Sequence, residues 1–271
     1  MRAPVFIVGS PRSGTSELVS VLSDIGYHGF LEGNFLSLLR HIDLLVDDYY
    51  ENFPESDKDV MLTHIDKRNL KRKLFEPLQT TVNDLNPKEP WFDKTGTPDM
   101  TLAIPIVREL WPGSVFVFAQ RRGIENVISR VKKFPDSSFE FHCADWAENM
   151  AAWRTIRPQL PPGCFIEVEQ RDMIQQPLRT ARSLCAFLEV DESAVPADPS
   201  ALGGATTLLD AACYIMTTQR PQESAEGSAS RISSLAESGW TAEQMETFLK
   251  HCETEMKEFG YTMDEHYSAT L

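Results

Sequence analysis

The stretch Val5-Phe6-Ile7-Val8-Gly9-Ser10-Pro11-Arg12-Ser13-Gly14-Thr15-Ser16 decides how the rest of the chain is read. Four consecutive β-rich apolar residues suit a strand buried on both faces. Two glycines separated by four residues follow. Leu18, Val19, Leu22 and Ile25 then recur at helical spacing until Gly26 stops the run. A strand that enters a helix through such a loop aims backbone N–H groups and the positive end of the helix at one point, which is an anion cradle. Thr15 and Ser16 add hydroxyl donors, and Arg12 is the one cation inside the loop. The plain alternative is a structural glycine turn.

The GxxxxG spacing is that of a P-loop, but a P-loop kinase or ATPase carries Lys and Ser/Thr after the second glycine. Here those two positions are Thr15 and Ser16. The lysine that would reach β- and γ-phosphates is missing. No strand end offers an obvious magnesium aspartate, because Val115–Ala119 runs into Gln120-Arg121. One cation and no metal ligands suit a 5′-phosphate carrying a single further group better than a triphosphate with Mg²⁺.

Outward from this loop, strands and helices alternate. Val115–Ala119 reads as the clearest strand, followed at once by a helix from Ile124 to about Val131. Pro90–Asp93 and Cys164–Val168 read as further strands. Helices are expected over Asn34–Asn52, Asp57–Leu85 (broken or kinked at Pro77), Thr101–Trp111, Phe139–Leu160 and Met173–Leu188. Pro177 is tolerable only in a first turn. Residues 196–239 read as short helices and a mobile loop, and Thr241-Ala242-Glu243-Gln244 as a capping box opening a last helix to about Phe259. The alternation implies an α/β fold with a parallel sheet covered on both faces. Ligands of such sheets sit at the carboxyl ends of the strands, here just after Val8 and Ala119.

Bulk properties narrow the functions. With 271 residues the chain is expected to be one domain, 1–271. Its 26 basic and 40 acidic side chains give a net charge of −14, which argues against nucleic acid as a partner and disfavours a polyanionic acceptor. Five scattered cysteines with no CxxC pair point away from a metal cluster or disulfide framework and toward a reducing compartment. No stretch approaches the ~20 apolar residues that span a bilayer, so no membrane partner is expected and the reading is cytoplasmic. Oligomeric state is not legible.

Pro11-Arg12-Ser13-Gly14-Thr15-Ser16 resembles the 5′-phosphosulfate loop of PAPS-dependent sulfotransferases. Their fold is a variant of the P-loop kinase fold: three layers, a central parallel sheet and helical insertions. Many members have Lys where Arg12 stands, and bacterial and tyrosylprotein types have Arg. The resemblance implies PAPS as sulfuryl donor, PAP as product and no metal, with the acceptor side at about 34–90 and a C-terminal loop and helix at 195–271. The family also places an Arg at the end of a later strand and a Ser eight residues on, both on the nucleotide 3′-phosphate. Arg121 and Ser129 fill that spacing after the expected strand, with apolar Val127-Ile128 between them. The usual acidic-Pro pair after the arginine is Arg122-Gly123 here, and Arg122 either assists or pairs with a nearby acid.

Sulfuryl transfer needs a base for the acceptor proton, cations for developing charge, and in-line placement. Glu32, just past the first helix, resembles the base glutamate of glycan-modifying and bacterial sulfotransferases; an N-capping or surface role is the alternative. His28 is the local rival, its ordinary pKa suiting a base. Trp91-Phe92-Asp93-Lys94-Thr95 resembles the bacterial Asp-Lys-Thr-Pro segment, with Gly96 in place of proline, and implies that Lys94 stabilises charge. Arg231 falls in a late Ser-rich loop of the kind that closes over the nucleotide in the family. The run Lys67–Lys73 reads as a solvated helix face. The expected acceptor is a hydroxylated small metabolite or a sugar hydroxyl, with an amine or, since the PRSGT form resembles enzymes for that substrate, a peptide tyrosine as alternatives. A P-loop nucleotide kinase and a non-catalytic nucleotide-binding protein on the same fold are the rival readings.

Overall fold

A computed structural model describes residues 3–53, 59–86, 90–196, 200–218 and 234–268. Five parallel strands form one sheet in the order β2-β3-β1-β4-β5: β1 (Val5–Val8), β2 (His28–Gly29), β3 (Trp91–Lys94), β4 (Val115–Gln120) and β5 (Phe165–Glu169). Eleven α-helices are described: α1 (Thr15–Asp24), α2 (Leu38–Glu51), α3 (Lys67–Leu85), α4 (Pro98–Leu102), α5 (Ile104–Leu110), α6 (Gly123–Lys133), α7 (Phe139–Ile156), α8 (Gln170–Gln175), α9 (Pro177–Phe187), α10 (Leu208–Thr218) and α11 (Ala242–Glu258). The expected α/β architecture with a parallel sheet is what the chain adopts.

β1 reads as a homogeneous apolar run because it is central and both of its faces are covered. Its pleat still sorts the side chains by twos. Phe6 and Val8 join Phe116 and Phe118 of β4 in a core closed by α4 to α7 and α11. Val5 and Ile7 join Val117 and Ala119 in a second core under α1, α9 and α10. Helices on both faces make three layers, and the strand carboxyl ends are left for the loops.

Several boundaries differ from the sequence reading. α2 begins at Leu38, not Asn34, because Asn34 adopts a left-handed backbone (φ 49°) that no helix continues. Asp66 caps α3 by accepting from the Asn69 amide, and α3 runs through Pro77 unbroken. Thr101–Trp111 is two helices, α4 and α5, meeting at Ala103, with Pro105 in the first turn of α5, where its missing N–H costs nothing. Pro177 plays the same part for α9 and separates it from α8. β2 has only two residues and no pattern to announce it. The capping box is as expected: Gln244 N–H donates to Thr241 Oγ1 at 3.2 Å, and Thr241 N–H to Gln244 Oε1 at 3.0 Å.

Candidate active site

Because β3, β1 and β4 are adjacent and parallel, the loops leaving their carboxyl ends converge. Gly9 leaves β1 with φ 121° and lies so close to β4 that a Cβ there would stand 2.2 Å from the Ala119 carbonyl oxygen. Only glycine fits, and the loop is thereby pressed against the strand that ends in Arg121. Gly14, also left-handed, ends the loop and opens α1. The first amides of α1 have no intrahelical acceptor, so they and the helix dipole face the loop's mouth. Ser13 and Thr15 are buried in the cradle and Ser16 is exposed.

α6 braces this loop from below. Asn126 donates from Nδ2 to the Pro11 carbonyl and to Ser13 Oγ, both at 3.0 Å. Arg130 donates to Ser10 Oγ at 3.2 Å and pairs with Asp145 at 2.7 Å. Sequence reasoning missed both residues. They follow helical spacing from Arg122, a polar stripe that reads as a solvated face, yet both are buried.

The expected nucleotide residues are brought together. Arg121 at the tip of β4 donates from Nη1 to the Arg12 carbonyl at 3.0 Å. Arg12 donates from Nε to Ser129 Oγ, also at 3.0 Å. Arg12 is held at φ 74°, a left-handed backbone that costs a non-glycine residue about 1–2 kcal/mol and turns its side chain toward α6. Arg121 is buried, and burial pushes its guanidinium down from its ordinary pKa. Its Nε meets no hydrogen-bond acceptor among the described residues. Among the described residues neither Arg12 nor Arg121 has a carboxylate within ion-pair distance, in contrast to Arg122, which pairs with Glu125, and Arg130.

Arg122 takes the structural alternative. Its fully buried guanidinium grips both Glu125 oxygens and donates to the carbonyls of Thr262, Asp264 and His266. The peptide between Arg121 and Arg122 is clamped on both sides. Trp146 Nε1 donates to the Arg121 carbonyl and the Arg122 N–H donates to the Tyr267 hydroxyl, each at 3.0 Å. Tyr267 and Tyr261 in turn each donate at 2.6 Å to one oxygen of Glu169, at the end of β5. The segment after α11 is thus strapped across the tips of β4 and β5.

At the other side of the cradle, Glu32 and Lys94 form an ion pair, Lys94 buried and Glu32 exposed. The Gly33 N–H donates to the Lys94 carbonyl at 2.8 Å, and the Asn34 N–H donates to Thr95 Oγ1 at 2.9 Å. Thr95 Oγ1 donates to Asp93 at 2.9 Å. Burial pushes the Asp93 carboxyl up to about 6, against the Thr95 hydroxyl and Lys94, with the Glu32 charge adding to the rise. Asp93 was not among the site residues the sequence singled out. His28 pairs in register with Trp91, three residues back along the strand from Lys94, or about 10 Å, and it is exposed. The structure joins Glu32 to Lys94 and leaves His28 apart from them. Arg231 lies outside the described residues. Among the described residues no group of three or more His, Cys, Asp or Glu is placed to hold a metal ion, and no helix is long and apolar enough to cross a membrane.

The chain can now be compared with known proteins. A family model described as the sulfotransferase family matches residues 4–194, from β1 to beyond α9. The crystal structure of sulfotransferase STF9 from Mycobacterium avium is similar at 14% identity and a TM-score of 0.54, over 98% of this chain and 79% of that one. That likeness supports the fold. The sulfotransferase domain of the Synechococcus PCC 7002 olefin synthase is 14% identical over 91% of this chain and 94% of its own, with a TM-score of 0.48. Mouse sulfotransferase SULT7A1, crystallised with PAP, is 11% identical over 94% and 85%, with a TM-score of 0.48. No curated protein sequence matches. The family match spans the cradle, the Glu32–Lys94 pair and the Arg121 tip together, and the chain belongs to the sulfotransferase family.

Proposed function

We propose that this sulfotransferase uses PAPS as donor and transfers its sulfuryl group to a hydroxyl or amine acceptor. One observation carries the reading: Arg12, in the loop between β1 and α1, and Arg121, at the tip of β4, lie side by side, and neither has a carboxylate partner among the described residues. A buried cation without a counter-ion is expensive. An anion at this point offsets that cost, and the orphan Nε of Arg121 fits a phosphate. A nucleotide with phosphates at both ends of its ribose suits two such cations. The residues fit the donor.

PAPS supplies the activated sulfuryl group when bound. The α1 amides, Ser13, Thr15 and Ser16 hold its 5′ end, and Arg121 with Ser129 holds the 3′-phosphate. Pro11 and Gly14 shape the loop. Arg12 neutralises charge at the loop, and Lys94 does so at the end of β3. Glu32 takes the acceptor proton on a carboxylate oxygen. Glu32 and His28 are both exposed, and the ion pair with Lys94 favours Glu32, since His28 lies in register with Trp91.

Thermal unfolding with PAP, with AMP and with ATP plus Mg²⁺ tests the donor. A ligand at ~100 times its Kd adds about 2.7 kcal/mol, a rise of several degrees in Tm. PAP is expected to shift the Tm well above AMP. A shift with ATP and Mg²⁺ alone would overturn the reading in favour of a kinase.

A further inference from the structure

The turn that carries Arg121 is held by a residue near the far end of the sequence. Arg121 and Arg122 join β4 to α6, and the Arg122 N–H precedes the helix, so the ladder of α6 holds no acceptor for it. The Tyr267 hydroxyl accepts from it at 3.0 Å and donates in turn to Glu169 Oε1 at 2.6 Å. Glu169 ends β5 in register with Gln120, the residue before Arg121. The Tyr267 ring is held as well, with the Arg122 guanidinium 5.0 Å and the Arg171 guanidinium 4.7 Å from its centroid.

The turn has little room on its other face. Trp146 donates to the Arg121 carbonyl at 3.0 Å, and a Cβ on Gly123 would stand 3.1 Å from the same indole. Contacts to the carbonyl and to the N–H of one peptide fix the plane from which Arg121 projects. Its guanidinium donates from Nη1 to the Arg12 carbonyl, and its Nε meets no acceptor among the described residues. The backbone behind Arg121 therefore carries much of its placement. Tyr261 is an internal comparison. Its hydroxyl donates to the other oxygen of Glu169, also at 2.6 Å, and it is as buried as Tyr267. Its own N–H donates to the Met256 carbonyl, away from the Arg121–Arg122 peptide.

We infer that Tyr267 is a positioning residue for nucleotide selectivity: by holding the Arg121–Arg122 peptide it aims the Arg121 guanidinium, and so sets the preference for a nucleoside 3′,5′-bisphosphate over the 5′-monophosphate. This rests on the proposed function, which puts the 3′-phosphate on Arg121 and Ser129.

Calorimetry with PAP and with AMP on wild type, Tyr267→Phe and Tyr261→Phe separates placement from stability. Phe keeps the ring and removes only the hydroxyl. Both variants take a donor from Glu169 and should lower the Tm. Only Tyr267→Phe should weaken PAP, by about tenfold, the low end for one charge-assisted contact, with AMP within about twofold of wild type. An unchanged ratio of PAP to AMP affinity in Tyr267→Phe, or an equal fall in both variants, would overturn the inference. Hydrogen exchange on wild type reads the same coupling should Tyr267→Phe not fold. At PAP and AMP concentrations that raise the Tm equally, the Arg122 amide should exchange roughly tenfold more slowly with PAP, because a bound 3′-phosphate opposes the opening that misplaces Arg121. Equal exchange would overturn the inference as well. A wild type that binds PAP no better than AMP would sink the donor reading and this inference with it. A preference for PAP that survives in Tyr267→Phe would sink this inference alone.

Discussion

Glu169 offers a quantitative check on the strap that holds the tip of β4. Its carboxylate is enclosed by the hydroxyls of Tyr261 and Tyr267, with Asp172 adding negative charge and the Arg171 backbone donating to it. Burial is the largest influence and pushes the carboxyl from an ordinary 4.5 to about 7, with the two hydroxyls pulling the other way. A folded pKa above the unfolded one means that the folded state binds the proton more tightly. The stabilisation is therefore fully present below about 4.5 and is lost as pH rises through about 7. At 1.36 kcal/mol for each unit, the loss is about 3 kcal/mol at most. Part of the residue remains accessible, which makes this an upper limit.

Asp93 works in the same direction at lower pH, its carboxyl raised from 3.8 to about 6 by burial. Wild type alone would mix the two groups, so the informative quantity is the difference between wild type and Glu169→Gln. Gln cannot ionise, and near pH 5 it replaces a carboxyl that is already protonated. Urea unfolding at pH 5, 6, 7 and 8 should show wild type losing up to about 3 kcal/mol more than the variant across that range. Equal slopes for the two proteins would refute the enclosure of Glu169 and, with it, the strap.

Three further outcomes follow from the site. Gly33→Ala would put a Cβ 1.8 Å from Asp93 Oδ2, whose carboxylate is buried and tied to Thr95. It should cost about 1–3 kcal/mol by urea unfolding and lower turnover by displacing Glu32 from Lys94. Arg12→Ala should weaken PAP roughly 10- to 150-fold in calorimetry, the loss of a charge-assisted contact. Glu32→Gln should leave PAP affinity unchanged while turnover falls by about 10²–10⁴. Equal PAP affinity in these two variants would refute the division of labour.

The features legible in the sequence were those that depend on a few consecutive residues. A buried strand, two glycines and a helix start can be read from Val5 to Ile25, because each signals locally what it does. The same holds for β4, whereas Arg121 and Ser129 stood out only through the spacing that the family resemblance supplies after that strand. Prolines depend on what surrounds them: Pro177 stands in a first turn as its position requires, but Pro77 sits inside an intact α3 and Pro105 opens a helix where one continuous helix is expected. β2 owes its existence to the neighbouring edge of β3, not to its own two residues.

What the sequence hid is long-range and polar. Glu169 meets Tyr261 and Tyr267 across 92 and 98 residues, and Asn126 meets Ser13 across 113. A single chain gives no local sign of such partners. A buried polar stripe and a solvated one have the same helical period, so Asn126 and Arg130 look like surface until the loop they brace is in place. Yet these contacts decide what the legible residues can do. Arg12 and Arg121 would be two surface cations like many others if α6, Trp146 and Tyr267 did not fix the loop and the strand tip beside each other. Held there without carboxylates among the described residues, they carry charge that folding leaves unbalanced. Positive charge left without an ion-pair partner at a helix start favours an anion there, which is the physical ground of the proposed donor site.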